Sequence, residues 1–321
     1  MSGTNPSTQA VGIALGLGAA LSWGLADYFA AVASRSIGAL RVVLGFHVTA
    51  LIGLGALVVA TNGLAGVDIG QVGVFVALGA VGWASYLAFY GALAIGPISV
   101  VSPIVSGYAA ITVLLALAFA DSRLSAPQSV AVTITIAGAM LASADVRKIA
   151  RLRLQRRSAL GFALALCAMG LLGTFVFGVS YYRAQIGWLG PIFLARGFAA
   201  LFLFGHLVLA RRSAGPGIAD PVAAPCAGSA DSGHQSAGPM RPRRKLIALI
   251  VLLAVLDTGG YVFFNLGVGH AATAIVAAAS APYAVVPIVM GVWLFAERPT
   301  PTQWLGAVAV IAGVVLLAVL G

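Results

Sequence analysis

AATAIVAAASAPYAVVPIVMGVWLFAERPTPTQWLGAVAVIAG, residues 271–313, is the stretch from which the fold is read. It forms two apolar helical segments around a short polar turn. The first runs from about Ala272 to Ala296 and carries Ser280, Pro282, Tyr283 and Pro287. The turn is Glu297-Arg298-Pro299-Thr300-Pro301-Thr302, and the second segment continues through Gln303, Gly306 and Gly313. Moved back 175 positions, this stretch and its N-terminal neighbour align with the middle of the chain without a gap. Tyr261 falls on Tyr86, Phe264 on Phe89, Tyr283 on Tyr108, Arg298 on Arg123, Gln303 on Gln128 and Gly313 on Gly138. Self-similarity at one fixed offset marks a duplicated architecture.

Working outward, the 321 residues are 61% hydrophobic and 8% charged, with a mean hydropathy of +1.04. Soluble domains carry roughly 25% charge, so this chain cannot clothe a water-facing surface and reads as an integral membrane protein. Its 40 glycines suit helices that approach closely in lipid, as at Gly12 and Gly16. A span needs about 20 apolar residues. Ten fit, at roughly 10–34, 39–60, 70–94, 98–120, 127–144, 159–182, 189–210, 246–268, 272–296 and 302–320. The expected fold is therefore all-α, with ten transmembrane helices in two five-helix repeats. The first repeat covers 10–145, a basic connection 146–158, and the second repeat 159–320, interrupted by a flexible linker at 211–245.

Fifteen of the lysines and arginines fall in the 1–2, 5–6, 7–8 and 9–10 connections. The opposite face has only Arg123 and Arg183. The positive-inside bias makes the rich face cytoplasmic, in a cytoplasmic (inner) membrane, with both termini outside. The net charge of +10 thus reflects topology, and nucleic acid is not an expected partner. Five spans per repeat is an odd number, so the halves must lie inverted with respect to each other. Inverted repeats are common in secondary transporters, which bind solute near the midplane between them. Cys167 and Cys226 make no disulfide framework or metal spacing, and His234 and Cys226 read as ordinary linker residues. The uncharged N-terminal ten residues lack the basic region of a cleavable signal.

Leu21-Ser22-Trp23-Gly24 resembles the Trp-Gly signature in the first helix of EamA-type proteins of the drug/metabolite transporter superfamily. Residues Glu297 to Gly306, followed by Gly313, resemble that family's repeat ending, and Arg196 is similar to an arginine often found in the second helix of a repeat. The resemblance covers nearly the whole chain except 211–245. It implies a ten-helix transporter of small metabolites with a central cavity lined by helices 1, 3, 4, 6, 8 and 9. The first repeat departs from the pattern: Ser122 stands where Glu297 does, and His47 stands at about the position of Arg196.

Four ionisable residues lie deep enough in spans to need an explanation, Asp27, His47, Arg196 and Asp257, whereas His206 and His270 read as near interfaces. Charge there is costly, roughly 2.5–3.5 kcal/mol each on insertion scales, and calls for a role or a partner. Asp257 lies twelve residues past Lys245, about 18 Å into the membrane. It shares a helix face with Tyr261 and Asn265, matched in the first half by Gly82, Tyr86 and Tyr90. Asp27 follows Trp23 by one turn. Asp27 or Asp257 could couple transport to protons; ion pairs of Asp257 with Arg196, and of Asp27 with His47, are the structural alternatives. Arg196 could alternatively receive a carboxylate or phosphate, which a guanidinium matches bidentately. Pro97, Pro103, Pro282 and Pro287 free backbone carbonyls that Ser99, Ser102, Ser106, Thr273 or Ser280 could satisfy. Trp23, Tyr86, Tyr90, Tyr108, Tyr261, Asn265, Ser280 and Tyr283 are the candidate cavity residues.

No HExxH, GxSxG, Walker A lysine or aspartate-rich metal motif occurs, so no enzyme, cofactor or metal is expected. The expected function is a secondary transporter moving a small metabolite through the lipid bilayer by alternating access, with proton coupling open. A multidrug proton antiporter for cationic compounds, and a non-transporting scaffold or receptor, are the alternatives. The substrate and the choice between monomer and homodimer are open at this point.

Overall fold

The computed structural model describes residues 6–37, 39–95, 101, 104–120, 124–143, 156–213, 243–286, 289 and 300–320. Among these the regular elements are all helical. We number them α1 (Pro6–Ile37), α2 (Ala39–Thr61), α3 (Val72–Ile95), α4 (Tyr108–Phe119), α5 (Ala126–Ser143), α6 (Arg156–Tyr181), α7 (Leu189–Ser213), α8 (Arg243–Val268), α9 (Thr273–Ser280) and α10 (Pro301–Val319). Single turns, Ile69–Gln71 before α3 and Arg183–Ile186 before α7, complete the regular structure of the connections. Seven helices are long and apolar enough to cross a membrane, and three shorter apolar ones span Ile104–Phe119, Ala126–Ala142 and Thr273–Tyr283. Large apolar side chains such as Ile52, Val59, Leu201 and Ile311 face outward, as lipid-facing surfaces require.

The duplicated sequence positions do the same local work. Thr300 caps α10, and Gln303 returns the bond: its backbone N–H donates to the Thr300 hydroxyl, and its side-chain carbonyl accepts from the Thr300 N–H at 2.8 Å. At the matched positions Ser125 and Gln128 form the same reciprocal pair, with the Ser125 N–H 2.9 Å from the Gln128 Oε1. Such a box satisfies two N–H groups that a helix start leaves without partners. Pro301 suits the first turn of α10, where no backbone donor is needed.

The expected continuous helix over 272–296 is interrupted. The α-helix ends at Ser280 and the chain passes into a 3₁₀ segment, Ala281–Val285. Pro282 has no N–H to donate and its ring clashes with the carbonyl four residues back, so the regular ladder cannot pass through it. The corresponding point of the first half also breaks: Gly107 forms a turn before α4, with i→i+3 bonds from Gly107 to Ile104 at 3.0 Å and from Ala110 to Gly107 at 2.9 Å. Helix α7 runs on to Ser213 and α8 begins at Arg243, so both reach into the expected linker. The linker's middle, with Cys226 and His234, lies outside the described residues, as do Pro97, Ser99, Ser102, Pro103, Pro287, the Arg123 and Arg298 turns and most of 146–158.

Packing is reciprocal between the first five helices and the last five. Helix α1 packs on α8 and α9, and α6 packs on α3 and α4. Helix α2 meets α8, and α7 meets α3; α2 meets α7, α4 meets α9 and α5 meets α10. Exchanging α1–α5 for α6–α10 leaves this set of pairs unchanged. The correspondence extends to single contacts. A Cβ on Gly24 of α1 would press on Val286 and the Tyr283 carbonyl, and one on Gly173 of α6 would press on Ile111 and the Tyr108 carbonyl. Each pair of partners is 175 residues apart. Both glycines thus let a helix backbone touch the other half directly.

Candidate functional site

Two adjoining polar groups lie in the interior where α1, α2, α3, α7 and α8 converge. The first is built around Arg196 of α7. Its side chain is 1% exposed, a burial that a guanidinium tolerates only with full compensation. The compensation comes from both terminal nitrogens. One Nη donates to the Asp257 carboxylate in an ion pair, and the other donates to the Thr258 hydroxyl at 3.0 Å. The guanidinium carbon stands 5.0 Å from the centroid of the Tyr261 ring and 5.9 Å from that of Phe46, within cation–π range.

His47 of α2 is equally buried, and its Nδ1 bonds the Val43 carbonyl one turn back at 2.9 Å. Its ring meets Tyr86 edge-on at 4.9 Å. Of the two ion pairs considered from the sequence, the structure forms Asp257–Arg196. Asp27 and His47 are not bonded to each other. Asp27 is half-buried and, among the described residues, makes no hydrogen bond or ion pair.

The second group is aromatic and centres on Trp23 of α1. Its ring meets Tyr261 of α8 at 5.1 Å, Phe264 at 5.9 Å and Tyr108 of α4 at 6.0 Å. The Trp23 Nε1–H donates to the Asp257 backbone carbonyl at 3.2 Å, which joins the two groups. Gly260 makes the room: a Cβ there would collide with the indole. Tyr108 in turn stands 5.5 Å from Tyr283, and its hydroxyl is 3.1 Å from Ser280 Oγ. Ser280 also donates to the Ala277 carbonyl at 2.8 Å, so it closes the end of α9 while holding Tyr108. The matched tyrosines therefore do meet, across the interface of the two halves.

The other candidates lie apart. Tyr90 packs against the apolar cluster of α1, α2, α7 and α8, with Phe89 5.5 Å away. Asn265 is fully buried; its amide donates to the Tyr261 carbonyl at 2.9 Å, and its Oδ1 has no partner among the described residues. Thr258, Phe46 and Gly260 were not singled out from the sequence. Thr258 adjoins Asp257, which is the one signal that could have pointed to it. Phe46 and Gly260 carry no chemical mark in a chain this rich in apolar residues and glycine. Among the described residues no group of three His, Cys, Asp or Glu side chains could hold a metal ion.

The arrangement can therefore hold one fixed ion pair, present ring faces and phenolic hydroxyls, and offer one carboxylate that the ion pair does not use. Set against known proteins, residues 10–144 and 231–319 match the model of the EamA-like transporter family. No curated protein matches the sequence. A solved structure described as "Crystal structure of protein" aligns with a TM-score of 0.67 at 15% identity, covering 96% of this chain and 96% of its own. At that identity the likeness is one of fold.

Proposed function

The chain belongs to the EamA-like transporter family, and from that premise we propose that it is a secondary transporter with ten transmembrane helices in two inverted repeats, moving a small solute by alternating access. The observation that carries this reading is the aromatic cluster of Trp23, Tyr108, Tyr261 and Tyr283, to which α1, α4, α8 and the 3₁₀ segment after α9 each contribute. A group assembled from both halves is remade whenever the halves move against each other. A solute bound there is then exposed first to one side and then to the other. The reciprocal helix pairings and the matched contacts of Gly24 and Gly173 support the repeat arrangement. The interruptions at Gly107 and Ser280 support a site at mid-depth, because irregular backbone in a membrane belongs where protein or a cavity satisfies it.

Binding is tested by thermal unfolding of the purified protein against a panel of amino acids, sugars, nucleosides and organic cations. A ligand selective for the folded state raises stability by RT ln(1 + [L]/Kd). Transport is then tested by counterflow of each stabilising solute in proteoliposomes. Saturable counterflow that Tyr108→Ala and Tyr283→Ala both weaken is the expected result. Absence of counterflow for every stabilising solute would overturn the transport reading and favour a receptor or scaffold.

A further inference from the structure

We infer that Asn265 of α8 is a hydrogen-bond acceptor kept for the solute, and that the solute carries a neutral N–H or O–H donor on an aromatic or apolar body. This rests on the transporter reading and names its substrate class. The first observation is an unmet bond. Asn265 is 1% exposed, and its Oδ1 has no partner among the described residues. Two other buried side-chain atoms among them lack one, Trp83 Nε1 and Arg183 Nε, and both are donors. Asn265 Oδ1 is thus the one unmet acceptor in that set. A buried polar group without a partner is costly, so a native structure keeps few of them, and each calls for a reason.

The second observation is that the oxygen cannot turn away. Asn265 Nδ2 donates to the Tyr261 carbonyl one turn back at 2.9 Å. Exchanging the two ends of the amide would set oxygen against oxygen there, so this bond decides which atom is which. The nitrogen anchors the group and the oxygen is held out. The anchor is not needed by the backbone. The Tyr261 carbonyl lies inside α8, where the helix ladder already brings it the N–H of residue 265. A leucine of similar size would fill the place without either polar atom.

The third observation is the surroundings. Asp257, Tyr261 and Asn265 follow at intervals of four and share one face of α8. That face presents a satisfied ion pair, a ring and an open acceptor, in that order. The Tyr261 ring meets Trp23 of α1 at 5.1 Å and Phe175 of α6 at 5.8 Å. Phe264, next to Asn265 in the chain, meets Trp23 at 5.9 Å. An acceptor beside ring contacts from α1, α6 and α8 suits a flat solute that stacks on the rings and gives one hydrogen bond. The matched position of the first half is Tyr90, packed against an apolar cluster, so the acceptor belongs to one half only.

An amide oxygen is neutral, and the donor that suits it is neutral too. A charged donor would carry its own desolvation cost into the membrane, which a neutral oxygen does not repay. A solute that offers only acceptors, such as an ether or an ionised acid, would face Oδ1 with a lone pair. A site built to bond a donor rejects the analogue that lacks it, because the site's own polar group is then left unpaired.

The test uses the full chain in detergent, titrated calorimetrically with indole and benzofuran. The two have the same ring outline and differ in one place, N–H against oxygen. Indole is expected to bind at least about tenfold tighter, as one acceptor met or left unpaired warrants. Asn265→Leu should bring the two affinities together. Without ligand it should melt no lower than the wild type, since the unpaired oxygen goes with the amide. Ser129→Ala, at an exposed position of α5, should leave the preference intact. Equal affinity of the two rings for the wild type overturns the inference, as when a fixed water rather than the solute meets Oδ1. A preference for indole that persists in Asn265→Leu overturns it too. So does a variant that melts lower or fails to fold, which marks the amide as structural. If neither ring binds, the stabilising solutes of the wider panel take their place, and unchanged affinity for Asn265→Leu overturns the inference. Counterflow only of solutes without an N–H or O–H would sink it and leave the transport reading standing.

Discussion

Arg196 and Asp257 show how a single residue's cost fixes its neighbour. Buried ion pairs repay desolvation only when every donor is used, and breaking one member typically costs about 3–5 kcal/mol because the other charge is stranded. Asp257→Asn is therefore expected to lower the thermal unfolding temperature sharply, as Arg196 then faces Thr258 and two rings without a counter-charge. The double variant Arg196→Met with Asp257→Leu removes both charges and should recover most of the loss. Melting curves of the three proteins in one detergent check this; a double variant as unstable as Asp257→Asn would show that the pair does more than neutralise. Tyr108→Phe belongs to the same scale but is milder. Ser280 keeps its bond to Ala277 when the phenol oxygen is lost, so a cost of about 1 kcal/mol is expected. His47 explains why the residue scale is the hardest to read from sequence. A histidine and an aspartate in successive spans suggested a pair as one alternative. The backbone carbonyl of Val43, invisible in composition and present at every fourth position of any helix, was the nearer partner.

At the scale of the helix, the sequence was legible wherever length and capping set the outcome. Eight of the ten expected spans contain a described helix within a few residues of its bounds, and seven described helices are long and apolar enough to cross a membrane, because a run of about 20 apolar residues has few alternatives in lipid. The Ser125–Gln128 and Thr300–Gln303 boxes were visible as a matched glutamine, although its function was not. What stayed hidden was where α9 gives way to a 3₁₀ turn: prolines announce that a ladder is broken, while the neighbours that satisfy the freed groups decide the new path. Gly24 and Gly173 make the element-scale prediction. Each seats its helix on a carbonyl of the other half, with 2.7 Å between the Cβ position and that oxygen in both cases. Gly24→Ala and Gly173→Ala should therefore destabilise the protein by similar amounts, since overpacking at an unyielding contact costs about 1–3 kcal/mol. Melting temperatures that drop for one variant and hold for the other would mean the two interfaces differ in their tolerance.

For the whole molecule the decisive property is orientation. The reciprocal pairings of α1–α5 with α6–α10 are the same whether the two halves are related by an axis in the membrane plane or along its normal. The proposed five spans per repeat, an odd number, separate these possibilities: they predict that the segment before α5 and the segment before α10 open on opposite faces. Ala126 and Pro301 are matched positions at the exposed first turns of those helices. In a chain whose Cys167 and Cys226 are replaced by alanine, Ala126→Cys should react with a membrane-impermeant thiol reagent added to intact cells. Pro301→Cys should react only after the membrane is opened, if the positive-inside expectation for the arginine-rich connections holds. Labelling of both cysteines from one side would require parallel repeats, and the cluster around Trp23 could not then work as a site presented alternately to the two faces. Labelling from opposite sides would join the duplication read in the sequence to the contacts at Gly24 and Gly173. The remaining question would be how the halves move, which the asymmetry of Asp257 against Gly82 makes unequal from the start.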